Sequence, residues 1–195
     1  MPKDLRNPFR VIYQSSYDRG LEHLLKIWPD VKKAVPEAEL HVFYGWTLFE
    51  RFYRDNPERM AWKNKIDRLM EADGVVHRGR VPQHEIQKEI EKSAVWAYPS
   101  HFGEISCISA MRSQAGGAIP VVTNYAALET TVQHGAKVDG DIFDPDTRDR
   151  FKLALIDMLK DPEMQEKIRK PMMKWAKNEF KWSKVASDWS EEFKK

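Results

Sequence analysis

Short runs dense in β-branched and aromatic residues alternate along the chain with longer stretches whose apolar positions recur at helical spacing. Residues 9–15 (FRVIYQS) form the first such run and predict a strand. Leu21, Leu24, Leu25 and Trp28 follow at the spacing of one helix face, with Asp18 placed to cap it. Pro29 is expected to kink that helix or restart it before Val31 and Val35, because proline lacks the amide hydrogen the helix ladder uses. Residues 39–45 (ELHVFYG) predict a second strand, and residues 47–72 a helical stretch interrupted around Asn56 and Pro57. A third strand is expected at 75–79, then a charged helix at 82–92 with Pro82 near its first turn. Residues 94–99 and 119–123 read as strands four and five, with a helix at 105–115 between them. A helix at 126–134 and a short strand region at 136–143 complete the series, and from Asp146 onward the pattern is helical.

Strands alternating with helices call for right-handed crossovers and a parallel sheet covered on both faces. The expected fold class is therefore α/β: a Rossmann-like sheet with a helical C-terminal extension. No internal repeat or low-complexity linker divides the chain, so residues 1–195 are expected to form one domain, with 146–195 packing on it as helices.

Composition narrows the function without naming it. Lysine plus arginine (32) nearly balances aspartate plus glutamate (30), which removes any bulk-charge argument for nucleic acid, and none is expected as a partner. The single cysteine, Cys107, excludes an intrachain disulfide framework and a cysteine metal cluster. The start MPKDLRNPFR lacks a signal-peptide core, and no run of 18 apolar residues occurs; a soluble, cytoplasmic protein is expected. The six histidines have no close metal-ligand spacing, so no metal site is expected. Trp182, Val185, Ala186, Trp189 and Phe193 form one apolar stripe that either packs on the domain itself or in part covers a second domain, in whose absence it would be exposed and favour self-association.

In an open parallel sheet, ligands bind beyond the carboxyl ends of the strands, where helix N-termini offer free amides and partial positive charge. Two loops fall there. Ser15, Ser16 and Arg19, with Gly20, place two hydroxyls and a guanidinium where an anion would sit; the same residues also read as a capped turn with a surface arginine. The second loop runs from Ser100 to Ser106. In it His101 faces the presumed site, Glu104 can cap the next helix or accept hydrogen bonds, and the amides of Ile105 and Ser106 point outward.

The stretch YPSHFGEISCISAMRSQAGGAIPVVT (residues 98–123) resembles the signature of the group 1 glycosyltransferases, a family with the two-domain GT-B architecture. That signature has a glutamate, seven residues, a second glutamate, a small-residue turn and a Pro-Val-Val-like strand. Glu104 matches the first glutamate and residues 116–122 the turn and strand. Residues 15–45 are similar to the family's first βαβ unit, with Arg19 at the position of a phosphate-binding lysine; residues 75–86 resemble the segment before the donor pocket, and residues 180–193 the closing helix. Two positions depart from the pattern. Arg112 stands where the second glutamate would accept hydrogen bonds from ribose hydroxyls, and Gln14, Ser15 and Ser16 stand where an arginine ends the first strand.

The resemblance implies the donor-binding half of a glycosyltransferase of polysaccharide biosynthesis. It would transfer a sugar from a nucleotide-diphosphate sugar to an acceptor glycan or other hydroxyl compound, with retention and without an essential metal or cofactor. Glu104 and Arg19 are then the catalytic candidates, positioning the sugar and stabilising the departing diphosphate. Ser15, Ser16, Arg80, Val81, His101, Ile105, Ser106 and Arg112 complete the expected donor site. The acceptor domain would lie N-terminal to this chain, and the full enzyme could sit peripherally on a membrane. Two other readings stay open: the same fold binding a nucleotide sugar without catalysis, and an interaction domain with no small ligand.

Overall fold

A computed structural model describes residues 6–194. Six strands form one parallel sheet: β1 (Asn7–Tyr13), β2 (Glu39–Phe43), β3 (Val75–Gly79), β4 (Ser93–Tyr98), β5 (Ile119–Thr123) and β6 (Ala136–Val138). Their order across the sheet is β3-β2-β1-β4-β5-β6. The chain thus builds outward from β1 in one direction and, after β3, returns to build in the other. β4 and β5 are buried along their whole length, as parallel strands covered on both faces must be. The α/β Rossmann-like class and the helical extension expected from the pattern are both present.

The connecting helices are α1 (Leu21–Ala34), α2 (Thr47–Tyr53), α3 (Pro57–Leu69), α4 (Gln83–Lys92), α5 (Ile108–Gly116) and α6 (Leu128–Thr131). They are followed by α7 (Pro145–Lys160), α8 (Pro162–Glu179) and α9 (Trp182–Glu192). Right-handed crossovers on either side of β1 send α1 to one face and α5 to the other. Accordingly α1 packs with α3 and α7, whereas α5 packs with α4 and α8. The core runs through both layers, with Trp28 and Trp96 among its largest fully buried side chains.

Several local expectations are corrected. Pro29 does not restart α1, which continues through it from Leu21 to Ala34. Trp28 and Val31 are fully buried on either side, so their burial holds the helix across the missing hydrogen bond. Asp18 does not cap α1. A short 3-10 turn at Tyr17–Arg19 intervenes, and Gly20 is the N-cap with φ 115°. The helix expected at 126–134 shrinks to α6, preceded by Ala126 at φ 51°, and the last strand to Ala136–Val138. α9 buries none of its residues, so its apolar stripe does not pack into the domain.

Gly20 shows how tightly the site is built. A Cβ at that position would lie 2.1 Å from the carbonyl oxygen of Pro99, at the end of β4. The β1–α1 loop can cross the end of β4 only because residue 20 has no side chain.

Candidate functional site

The sheet order reverses between β1 and β4, and a crevice opens beyond the carboxyl ends of those two neighbours. Ser15 and Ser16 leave β1 on one side of it, and Ser100 leaves β4 on the other. A polar chain crosses the crevice. The Ser15 Oγ lies 3.2 Å from the Tyr98 hydroxyl, which donates to Glu104 Oε1. Arg19 Nη1 stands 3.5 Å from the same carboxylate oxygen, and the guanidinium lies 3.9 Å over the ring of Phe102. Arg19 and Glu104, far apart in sequence, are therefore direct partners. The Glu104 side chain is only 8% exposed, so its charge depends on those donors.

Burial, then the hydrogen bond to Glu104, pushes the Tyr98 phenol well above its ordinary value, so it stays protonated and remains a donor. Cys107 sits beneath the same carboxylate. Its thiol is pushed up to about 12, first by burial and then by Glu104, and so is not a nucleophile at neutral pH.

Helix α5 begins three residues later than expected. The Glu104 carbonyl accepts the amide of Ala127 in the next loop, and the Glu104 amide donates to the Phe102 carbonyl. With those groups committed, the helix cannot start at residue 105. Cys107 is the N-cap, and Glu104 makes no cap hydrogen bond. Ile105 and Ser106 therefore lie in irregular backbone ahead of the helix rather than in its first turn, and Ile105 is fully exposed.

Arg80, Val81 and Arg112 come together in a separate cavity of about 320 Å³, walled also by Gln14, Phe43, Gln83 and Ser109. It lies at the ends of β1 to β3, facing the start of α5. Arg112 donates to the Gln83 side chain, and Gln14 donates to Ser113 at 2.8 Å. His101 turns instead into a third cavity of about 410 Å³, where its ring is 5.6 Å from His23 and 4.9 Å from Phe143. Most of the expected site residues thus divide among a central polar chain, a two-arginine cavity and a histidine pocket, while Ser16 lines a further cavity with Tyr17, Tyr44 and Trp46, and Ile105 and Ser106 lie exposed ahead of α5. Among the described residues, no group of three or more His, Cys, Asp or Glu could hold a metal ion, and no helix is long and apolar enough to cross a membrane.

Tyr98 and Phe102 are the side chains touching Glu104 and Arg19 that sequence reasoning passed over. Tyr98 closes an apolar strand next to a charged loop, but Tyr13 does the same at the end of β1, so that pattern alone did not single it out. Phe102 carried no such signal, because an aromatic residue in a loop does not announce which guanidinium it meets.

The family model for glycosyl transferases group 1 matches residues 7–175. No curated protein matches the chain. Among solved structures, the GtfA/B complex shares 14% identity at a TM-score of 0.76, over 99% of this chain and 37% of that one. HepE of Anabaena, in complex with UDP and glucose, shares 14% at 0.72, over 95% and 48%. Sucrose-phosphate synthase of Thermosynechococcus elongatus shares 17% at 0.72, over 100% and 46%. The chain therefore spans less than half the length of each of these three neighbours.

Proposed function

Since the chain belongs to the group 1 glycosyl transferases, we propose that it is the donor-binding domain of a retaining enzyme that moves a sugar from a nucleotide-diphosphate sugar to an acceptor hydroxyl. The observation that carries this reading is the Ser15–Tyr98–Glu104–Arg19 chain across the point where the sheet order reverses. The capture of UDP and glucose by the HepE neighbour supports a nucleotide sugar as the ligand.

In the reaction, the bond between the anomeric carbon and the diphosphate oxygen breaks while the acceptor oxygen bonds to that carbon on the same face. The acceptor proton is lost, and the diphosphate leaves with added negative charge. Catalysis requires donors fixed in advance where that charge grows. Arg19 has five N–H groups, and its contact with Glu104 leaves others for phosphate oxygens. The Ser16 hydroxyl adds a neutral donor in the same loop, while the Ser15 hydroxyl donates to Tyr98 and so holds that ring in place. Glu104 accepts hydrogen bonds from sugar hydroxyls and so orients the donor, which is positioning rather than proton transfer. No second carboxylate stands opposite it in the polar chain, as a paired-acid hydrolase would need. Acceptor binding and the rest of the cleft would come from a second domain, for which the shorter span of this chain leaves room.

The second reading is a binding module without catalysis, and Arg112 favours it, because a guanidinium cannot accept hydrogen bonds from ribose. Calorimetric titration with UDP-, GDP- and ADP-sugars, beside Glu104→Ala, tests the donor site. One donor class should bind, and the variant should weaken it at least about tenfold. Equal affinity in both proteins would remove Glu104 from the site. Turnover in the presence of the acceptor domain separates enzyme from module.

A further inference from the structure

We infer that the cavity holding Arg80 and Arg112 is an anion site, one that takes a phosphate group where a ribose diol would otherwise be held. The inference deepens the donor-site reading and rests on it for the ligand being a nucleotide; the charge argument stands on the cavity alone.

Two guanidinium groups line this space of about 320 Å³, and no carboxylate does. Neither arginine has a carboxylate partner among the described residues. Arg112 has only the neutral Gln83 side chain, and Arg80 has no side-chain hydrogen bond among them. The contrast with neighbouring arginines is clear: Arg78, on the adjoining strand, reaches Glu89 at 4.0 Å, and Arg10 reaches both Glu39 and Glu89. Closing a neutral diol into this cavity would strip water from two positive charges and supply nothing to balance them. A phosphate balances both, and a planar guanidinium can grip two of its oxygens at once. The same exchange governs dinucleotide-binding sheets, where an acidic residue holds a free ribose and an arginine accommodates a phosphorylated one. The phosphate could be the nucleotide's own diphosphate, drawn toward Arg112, or an extra phosphate on the ribose; both present the same chemistry to the cavity.

Calorimetry with adenosine, ADP, adenosine 3′,5′-bisphosphate and inorganic pyrophosphate separates these cases. Every phosphorylated probe should bind far more tightly than adenosine, and binding should weaken as salt is raised. Tighter binding of the bisphosphate than of ADP identifies the ribose phosphate as the source, and the reverse order identifies the diphosphate. Arg112→Glu should reduce pyrophosphate affinity at least about tenfold, with Arg112→Gln falling between it and the parent. Thermal unfolding of the variants establishes that each still folds; both changes are on an exposed residue. Unchanged pyrophosphate binding in Arg112→Glu and in Arg80→Gln overturns the anion site, as does adenosine binding as tightly as ADP. Failure of the donor reading looks different: pyrophosphate binding would still depend on Arg112, while no nucleotide sugar would bind in a manner sensitive to Glu104→Ala.

Discussion

At the scale of single residues, the Tyr98 hydroxyl is the hinge of the candidate site, because it faces both a serine and a buried carboxylate. In Tyr98→Phe, Glu104 loses a donor to its charge and Ser15 loses its neighbour, while the ring stays stacked on Trp96. The expected cost is about 1.5–3 kcal/mol, the usual range for a hydrogen bond to a charged group. Urea denaturation should register that loss, and donor titration a weaker complex; a variant indistinguishable from the parent in both would make the hydroxyl incidental. His23 gives a second residue-scale prediction, this time in pH. Burial, then the neighbouring His101 and Lys26, lowers its value from 6.5 to about 4. Between those values the unfolded chain takes up a proton that the folded chain refuses, so stability falls as pH drops through that window and levels off below it. The size is about 3 kcal/mol at most. Replacing the imidazole by a ring that cannot titrate, as in His23→Phe, should flatten that part of the thermal midpoint's pH profile. Identical profiles for the two proteins would show that His23 contributes nothing to acid sensitivity.

At the scale of elements, two glycines with positive φ separate backbone strain from steric contact. Gly20 has φ 115° and no room, whereas Gly79 has φ 63° and nothing within 4 Å of the point a methyl group would occupy. Gly79→Ala should cost about 1–2 kcal/mol for the left-handed conformation alone. Gly20→Ala adds a collision with the Pro99 carbonyl and should cost clearly more, dragging the β1–α1 loop off the end of β4. Chemical denaturation of the pair measures the difference, and equal losses would mean that the loop relaxes freely. This crossing also marks the boundary of what was legible in the sequence. The five main strands could be read from β-branched runs, because their burial is itself a pattern. The start of α1 and the start of α5 could not. Asp18 and Glu104 had the right chemistry to cap, but contacts from distant segments claimed those positions: Pro99 above Gly20, and Ala127 on the Glu104 carbonyl. The site shared that fate. The sequence offered Arg19 and Glu104 as separate loop residues, and only the adjacency of β1 and β4 made them partners.

At the scale of the whole molecule, α9 stands apart from the rest. It carries Trp182 and Trp189 at 85% and 62% exposure, with Phe193 just past its end at 78%, and it buries none of its residues. The domain's core is therefore complete without it, for α7 and α8 already cover the sheet and α5. Removing residues 181–195 should leave the thermal midpoint within about 2 °C of the parent, because it takes almost no buried apolar area from the fold. It should change behaviour at high concentration instead. Three large exposed apolar side chains on one short helix and its C-cap are an association surface, and water gains by covering them. Light scattering across a concentration series should show the full chain forming dimers or larger species, while the truncated chain stays monomeric. A full chain that remains monomeric at millimolar concentration would reject self-association through α9. A truncated chain that melts much earlier would show instead that the helix contributes to the fold. The combination expected here, unchanged stability with lost association, is the one outcome that assigns the stripe to a partner surface rather than to the core.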